Sequence, residues 1–201
     1  MKIADPAIAG LILAAGESSR MGQDKASLTY RGKTFLETII ATLREAGIKQ
    51  IVVVLGHHSE QIQQGSQLNG ASVAVNQDYQ LGQTSSLQTG LRALEETGTD
   101  GILLCLVDHP AISADSIKKL IHCFRVERKP IVVPTFNGER GHPVLIRRDL
   151  FGEISALGPH EGANTVIRKH RDRTQFVEVS DPGVLLDVDD LEAYQRLTEH
   201  K

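Results

Sequence analysis

The sequence AIAGLILAAGESSRMGQDK occupies residues 7–25 and joins an apolar run to a loop of small and charged residues. The run from Ala7 to Ala15 is broken only by Gly10, which predicts a buried strand that feeds a loop at Gly16. Later apolar runs predict three further strands, at 51–55, 71–75 and 102–107. Strands alternate with helical repeats through most of the chain, which indicates an α/β domain with a mostly parallel sheet.

The helical signals and the later strand signals complete this outline. Thr34 and Glu37 have the spacing of a capping box, which predicts the start of a helix. Further helical repeats cover 86–94, 117–124 and the surroundings of 166–167. Strands are predicted at 131–133, 144–146, 176–179 and 184–188, and their density indicates an antiparallel excursion. Because no repeat or linker divides the chain, we expect a single domain over residues 1–201.

The composition limits the class of protein. The 201 residues are 40% hydrophobic and 23% charged, as in ordinary globular domains. A net charge of -3 and a low aromatic content argue against nucleic-acid partners. No apolar run approaches the roughly 18 residues that span a bilayer, so we expect no membrane partner. Two cysteines provide no disulfide framework, and we expect a cytoplasmic protein.

The loop after the first strand is the first candidate site. Small residues let the backbone approach a ligand closely, and the N–H groups of such a loop can bind phosphate oxygens. Arg20 and Lys25 supply the positive charge that a triphosphate requires. The loop fits neither the Walker A pattern nor the Rossmann glycine pattern, because Gly16 and Gly22 are six positions apart. On these residues alone, a surface turn with solvated charges is an equal alternative.

Acidic residues follow two of the later strands. Asp108 comes directly after strand 102–107, and Asp187 and Asp189 lie on one face at the end of the predicted strand 184–188. Ligands of such sheets bind at the carboxyl ends of the strands, and Mg²⁺ takes carboxylates together with substrate phosphates. A turn aspartate or a helix start enriched in acids is the alternative explanation for both positions.

Five segments of the chain resemble the MobA-like nucleotidyltransferase family, and within it the branch of the molybdenum cofactor cytidylyltransferases. Leu13 to Lys25 resembles the family signature Leu-Ala-Ala-Gly-x-Ser-x-Arg-Met-Gly-x-x-Lys. The other four segments are 76–87, 106–110, 140–144 and 181–189, in the order that the family has. The resemblance implies a Rossmann-like, three-layer α/β/α nucleotidyltransferase fold with a small antiparallel excursion.

The resemblance also implies roles for the matching residues. The implied nucleotide-binding residues are Leu13, Ala14, Ala15, Gly16, Glu17, Ser18, Arg20, Lys25, Gly82, Ser85 and Ser86. The implied catalytic residues are Lys25, Arg20 and Asp108, the implied Mg²⁺ ligands are Asp108 and Asp189, and the implied acceptor-binding residues are His109 and His142.

The activity implied by the resemblance is Mg²⁺-dependent transfer of CMP from CTP to molybdopterin, with release of pyrophosphate. A recipient molybdoenzyme or its chaperone would then take the product. The similar guanylyltransferase branch carries Gly-Gly where this chain has Ala14-Ala15, which favours CTP. Two alternatives stay open: guanylyl or other nucleotidyl transfer to another small phosphorylated acceptor, and a non-catalytic module that binds and delivers a nucleotide or cofactor.

Three positions depart from the pattern or invite another explanation. The family usually ends its last motif as Asp-Thr-Pro-Glu-Asp, whereas residues 189–193 are Asp-Asp-Leu-Glu-Ala, so the partner of Asp189 stays open. His109 stands where Gln or Met is commoner. His57 and His58 follow the second strand, and adjacent residues of a strand point in different directions. We therefore expect a loop surface there and no shared metal ion.

Overall fold

Ten strands and seven α-helices occur in this computed structural model, which describes residues 5–17 and 21–199. The strands are β1 (Ile8–Ala14), β2 (Thr29–Tyr30), β3 (Lys33–Thr34), β4 (Gln50–Leu55), β5 (Ser72–Val75), β6 (Gly101–Leu106), β7 (Ile131–Phe136), β8 (Glu139–Arg140), β9 (Val144–Arg147) and β10 (Thr174–Glu178). The helices are α1 (Phe35–Glu45), α2 (Ser59–Gly65), α3 (Gln83–Ala93), α4 (Ala114–Glu127), α5 (Phe151–Ser155), α6 (Ala163–Lys169) and α7 (Leu191–Glu199).

Eight of the strands form one sheet, and β1 is an interior strand of it. Seven of them follow the order β10-β7-β9-β6-β1-β4-β5, and the short β8 pairs with β7. β1 is parallel to both neighbours, and Ile12 is aligned with Val53 in β4 and with Cys105 in β6. β9 runs antiparallel between β6 and β7, which confirms the predicted antiparallel excursion.

Helices cover both faces of this sheet. Side chains alternate along β1, so Ile12 belongs to the apolar cluster that includes α1 and α4, whereas Leu11 and Leu13 belong to the cluster that includes α3. The structure therefore confirms the three-layer α/β/α fold. Among the described residues, no helix combines the length and the apolar character that a membrane crossing requires.

Two local features position helices α1 and α3 relative to the sheet. The predicted capping box at α1 is confirmed: the Glu37 amide donates to Thr34 Oγ1 at 3.1 Å, and the Thr34 amide donates to Glu37 Oε2 at 2.8 Å. In α3, a Cβ at Gly90 would lie 2.4 Å from Leu11 Cδ1, so glycine lets this helix pack directly on β1. The N-terminus of α3 is thereby held near the end of β1.

The prediction of a strand at 184–188 is wrong. Pro182–Val184 forms a 3₁₀ turn, and the chain continues without strand pairing to Asp190. The reason is local: Pro182 and Gly183 favour a turn, and the Asp181 side chain accepts from the Gly183 amide at 2.9 Å. The segment still reaches the sheet edge, because the Val188 amide donates to the carbonyl of Asp108 at 2.9 Å.

Candidate active site

A cavity of about 410 Å³ lies beyond the carboxyl ends of β1 and β6. This is the place where ligands of open α/β sheets bind. The residues that line it are Leu13, Ala14, Ala15, Gly16, Asp24, Lys25, Ala26, Tyr79, Gly82, Gln83, Ser86, Leu106, Val107, Asp108 and Asp189. We call residues 181–189, which follow β10, the closing segment. The loop after β1, the end of β6, the start of α3 and the closing segment therefore meet at one cavity.

The start of α3 forms one wall of the cavity through Gly82, Gln83 and Ser86. Gly82 precedes the helix with φ 96° and ψ -173°, a conformation that only glycine adopts readily. The N-terminus of this 11-residue helix therefore faces the cavity, where its unpaired N–H groups and its dipole favour an anionic ligand.

Asn76 holds the segment before α3 in place. Its side-chain amide donates to Ser85 Oγ at 2.9 Å and to Ser86 Oγ at 3.0 Å. Ser85 Oγ in turn donates to the Gly82 carbonyl at 2.8 Å. Asn76 is buried and was not among the predicted site residues, because nothing in its spacing distinguishes it from a turn asparagine. These contacts make it a positioning residue for the wall that Ser86 forms.

Lys25 joins the two predicted metal ligands at the floor of the cavity. Its Nζ lies 3.0 Å from Asp108 Oδ2 and 2.7 Å from Asp189 Oδ1. The lysine side chain is 14% exposed, whereas those of Asp108 and Asp189 are 23% and 58% exposed. The ammonium thus stands between two carboxylates, which is the position that a bound divalent cation would take.

Burial lowers the pKa of Lys25, but the two neighbouring carboxylates raise it by more. The hydrogen bond to Asp189 and the charge of Asp108 raise the pKa of Lys25 above its ordinary value of 10.5. The stabilisation from this cluster is therefore fully present below the ordinary lysine pKa, and it is lost as the pH rises through the raised value. Near neutral pH, Lys25 is a permanent cation.

Asp108 has one oxygen that no described group satisfies. Its Oδ1 is buried without a hydrogen-bond partner among the described residues, and His109 Nε2 lies 3.9 Å away, beyond hydrogen-bond range. A buried acceptor atom without a hydrogen-bond partner is unfavourable. A divalent cation bound by Asp108 and Asp189 would satisfy it, so these residues fit the predicted metal site.

The closing segment that carries Asp189 is fastened to the start of α4 by Asp181. Asp181 Oδ2 accepts from the Ser113 amide at 2.8 Å and from Ser116 Oγ at 2.9 Å. The fit is close, because a Cβ at Gly183 would lie 2.4 Å from the carbonyl oxygen of Ala111. Asp181 therefore positions Asp189, which lies eight residues further along the chain.

Replacing Asp181 by alanine should destabilise the protein and misplace Asp189. We expect the Asp181→Ala variant to lose about 2 kcal/mol, since hydrogen bonds to a charged acceptor are removed. Chemical denaturation measures this loss. Asp115→Ala is the matched control at the same end of α4. Asp115 is almost fully exposed and forms a surface ion pair with Lys118, so a change within about 0.5 kcal/mol is expected. Equal losses in the two variants would contradict the fastening role of Asp181.

His109 and His142 form a half-buried pair next to Asp108. Their ring centroids are 5.0 Å apart, and neither residue lines the cavity. Burial lowers the pKa of His142 to about 4, and burial also lowers the pKa of His109, against the opposing charge of Asp108. Both rings therefore favour the neutral form near neutral pH.

The predicted nucleotide-binding residues are distributed as follows. Leu13 to Gly16, Lys25, Gly82 and Ser86 line the cavity, whereas Glu17 and Ser85 are described but are not part of its lining. Ser18 and Arg20 lie outside the described residues. Prediction from sequence missed Asp24, Tyr79 and Gln83, although Asp24 precedes Lys25 within the signature and could have been included.

Comparison with known proteins identifies the family. The MobA-like NTP transferase domain matches residues 10–174. The chain belongs to the MobA-like nucleotidyltransferase family. The match includes the loop after β1, the start of α3 and Asp108, whereas Asp189 lies beyond its end.

Curated relatives of this family match almost the whole chain. Nicotine blue oxidoreductase of Paenarthrobacter nicotinovorans is 30% identical over 204 residues, which cover 96% of this chain and 97% of that protein. Purine catabolism protein PucB of Bacillus subtilis (strain 168) is 28% identical over 197 residues, with 94% and 95% covered. A probable molybdenum cofactor guanylyltransferase of Mycobacterium ulcerans (strain Agy99) is 28% identical over 187 residues, with 90% and 88% covered.

Solved structures show the same fold. Rv0371c from Mycobacterium tuberculosis H37Rv superposes with a TM-score of 0.86 at 29% identity, covering 98% of this chain and 100% of that chain. The complex of Rv0371C with manganese superposes with a TM-score of 0.82 at 29% identity, covering 96% and 99%. A divalent metal is therefore bound by a relative of this fold.

Proposed function

We propose that this MobA-like protein transfers CMP from CTP to a molybdopterin-type acceptor in a Mg²⁺-dependent reaction that releases pyrophosphate. The observation that carries the proposal is the position of Lys25 between Asp108 and Asp189 in the cavity. A lysine and two carboxylates that line one cavity supply both parts of a site for a metal-bound triphosphate. The helix N-terminus of α3 on the same cavity supports an anionic ligand.

The reaction follows from two anionic reactants and a site that offsets charge. A phosphate oxygen of the acceptor attacks the α-phosphorus of CTP in line, forming one P–O bond. The bond from the α-phosphorus to the bridging oxygen breaks on the opposite side, and its electron pair leaves with pyrophosphate. The nucleophile is already anionic, so no general base is required. The mechanism therefore assigns no proton transfer to His109 or His142, whose pKa values are lowered.

The chain contributes mainly position and charge to this reaction. Lys25 would turn from the carboxylates toward the phosphates and stabilise the charge that develops on the leaving pyrophosphate. Asp108 and Asp189 would hold Mg²⁺, which when bound acts as a Lewis acid and as a template for the phosphates. The start of α3 would orient the nucleotide through backbone N–H groups. The family resemblance assigns Arg20 to the triphosphate as well.

The base end of the cavity supports CTP over GTP. Ala14 and Ala15 line the cavity and are 5% and 4% exposed. The guanylyltransferase branch has Gly-Gly at these positions, and two missing methyl groups would leave more room for a two-ring base. Relatives named as molybdenum cofactor guanylyltransferases support the acceptor class, and they do not support the choice of cytosine. His109 and His142 are the proposed acceptor-side residues.

A second candidate function comes from the relative named as an oxidoreductase, which covers 96% of this chain. The chain's own side chains give redox chemistry little support. Of the two cysteines, Cys105 is buried within β6, and burial raises the pKa of its thiol to about 12. Cys123 lies in α4, and neither cysteine lines the cavity. Redox turnover would therefore depend on an added cofactor.

A substrate screen separates these functions. Pyrophosphate release is measured with each of the four nucleoside triphosphates in Mg²⁺, with and without molybdopterin, and oxidation of NADH or NADPH is measured in parallel. We expect pyrophosphate only when CTP and molybdopterin are both present. Turnover with GTP instead would establish guanylyl transfer, NADH or NADPH oxidation would establish the redox candidate, and binding without turnover would establish a delivery module.

Nucleotide preference should depend on the two alanines. Thermal-shift titration should show stronger stabilisation by CTP than by GTP at equal concentration, because stabilisation follows affinity for the folded state. The Ala14→Gly/Ala15→Gly double variant should lose much of this difference, since glycine widens the base pocket. Ala26→Gly, in the same cavity but after Lys25, is the control that should keep the preference. Stronger stabilisation of the parent protein by GTP would contradict the assignment.

A further inference from the structure

Asp24, His57 and His58 form a cluster at the rim of the cavity. Each offers one ligand atom, and the three atoms all lie within 4.8 Å of one another. His57 Nδ1 is 3.5 Å from Asp24 Oδ1, and His58 Nδ1 is 2.9 Å from Asp24 Oδ2. The carboxylate side chain is 15% exposed, and the two imidazoles are 29% and 49% exposed. The cluster is thus anchored in the protein and open to ions from solution.

The backbone explains why the two histidines face one carboxylate, contrary to the expectation for adjacent strand residues. His58, three residues after β4 ends at Leu55, has φ 49° and ψ 32°, so the chain leaves the extended conformation there. The alternation of side chains therefore ends, and the two ring centroids lie 3.6 Å apart. The two histidines lie in a turn after β4, as expected, but both face Asp24, so the expectation that they point in different directions is wrong.

Close packing fixes this turn beside the loop after β1. A Cβ at Gly56 would lie 2.7 Å from the carbonyl oxygen of Ala15 and 2.6 Å from Tyr79 Cβ, so only glycine fits there. The His57 amide donates to the same Ala15 carbonyl at 3.3 Å, and the ring of His57 lies 5.9 Å from that of Tyr79. The main chain and an aromatic neighbour therefore hold His57 in place.

We propose that Asp24, His57 and His58 bind a divalent transition-metal ion of the zinc type. Two imidazoles and one carboxylate suit Zn²⁺, Co²⁺ or Ni²⁺, whereas Mg²⁺ prefers sites made of oxygen. Ligand bonds of about 2.1 Å place tetrahedral ligand atoms about 3.4 Å apart. Here the three ligand atoms all lie within 4.8 Å of one another, and the two histidines face different oxygens of Asp24, at 3.5 and 2.9 Å. Three protein ligands leave a fourth position for water or a phosphate oxygen.

The position of the cluster gives such an ion a structural consequence. Asp24 lines the cavity and immediately precedes Lys25, whereas His57 and His58 follow β4. A bound ion would therefore tie the residue before Lys25 to the central sheet. This second site is distinct from the carboxylates of Asp108 and Asp189, and it does not depend on the transfer reaction.

Equilibrium dialysis of the untagged protein against Zn²⁺ in excess Mg²⁺ tests the proposal, with metal content measured by mass spectrometry. We expect one Zn²⁺ per chain. His57→Ala and His58→Ala should each weaken Zn²⁺ binding by at least roughly 10- to 100-fold. Loss of a residue that merely hydrogen-bonds to a metal ligand already has an effect of that size, and here a ligand itself is lost. Cobalt in place of zinc should give visible absorption that disappears in the same variants, which reports direct ligation rather than a change in folding.

Three comparisons make the outcome decisive. His122→Ala removes an exposed histidine from α4 and should leave zinc binding unchanged, as should Asp108→Asn. Circular dichroism confirms that each variant is folded. Absence of zinc binding by the folded parent protein, or unchanged binding in the His57→Ala/His58→Ala double variant, would overturn the proposal and leave the cluster as a hydrogen-bonded contact.

Discussion

Lys25→Ala should lower kcat/KM for nucleotidyl transfer by roughly 10²- to 10³-fold, the loss that follows removal of one preorganised electrostatic donor. Lys25 contacts both Asp108 and Asp189, and its side chain is only 14% exposed. Without its ammonium, two carboxylates face each other across the cavity floor. The variant should therefore bind divalent metal in the absence of nucleotide more tightly than the parent protein, while turnover falls. Steady-state pyrophosphate release and metal titration measure the two effects.

Two further variants define what Lys25 contributes. Lys25→Arg should recover little activity, because a planar guanidinium does not replace a compact ammonium between two closely spaced carboxylates. Lys33→Ala is the control: Lys33 is exposed in a two-stranded turn, and its loss should be nearly silent. Similar losses at Lys25 and Lys33, or full activity of Lys25→Ala, would show that this loop is not the phosphate site.

Asp108→Asn should remove most turnover while leaving the fold intact. The amide has nearly the same shape but lacks the charge, and its nitrogen cannot ligate a cation. Asp108 Oδ2 also loses its ion pair with Lys25. We expect kcat/KM to fall by about 10²- to 10³-fold or more, and the Mg²⁺ concentration needed for half-maximal rate to rise. Pyrophosphate release over a range of Mg²⁺ concentrations measures both changes.

Asp187→Asn is the matched control for Asp108. Asp187 lies two residues before Asp189 in the closing segment and is exposed, but it does not line the cavity. Its replacement should change kcat/KM less than about threefold, a difference worth under 1 kcal/mol. An unfolded Asp108→Asn variant would favour a structural role for this aspartate, and an active one with an unchanged Mg²⁺ requirement would refute its role as a metal ligand.

Local sequence signals predicted the fold well, because apolar runs and the spacing of capping residues directly indicate strands and helix starts. The apolar runs at β1, β4 and β6 are buried strands in a parallel arrangement, and Thr34 and Glu37 form the predicted cap. The carboxyl ends of parallel strands meet at one edge, so Asp108 and the loop after β1 were expected to be neighbours. Their common cavity confirms that geometric expectation.

Local sequence patterns do not predict the contacts between side chains in the cavity. Lys25 meets Asp108 and Asp189 across sequence separations of 83 and 164 residues, and no local period encodes that contact. The closing segment has the apolar pattern of a strand, yet Pro182 and Gly183 turn it. His58 escapes strand alternation through one left-handed residue. In each case a single backbone conformation or a distant partner prevailed over the local pattern.

The most direct measurement of the central claim follows the α-phosphate of CTP. The protein is incubated with CTP labelled at the α-phosphorus, molybdopterin and Mg²⁺, and the acceptor is separated and counted while pyrophosphate is measured. We expect label on the acceptor, an equal amount of pyrophosphate, and loss of both in the Lys25→Ala and Asp108→Asn variants. Label that stays in CTP in the presence of folded protein, metal and intact acceptor would contradict the assignment of this cavity to cytidylyl transfer.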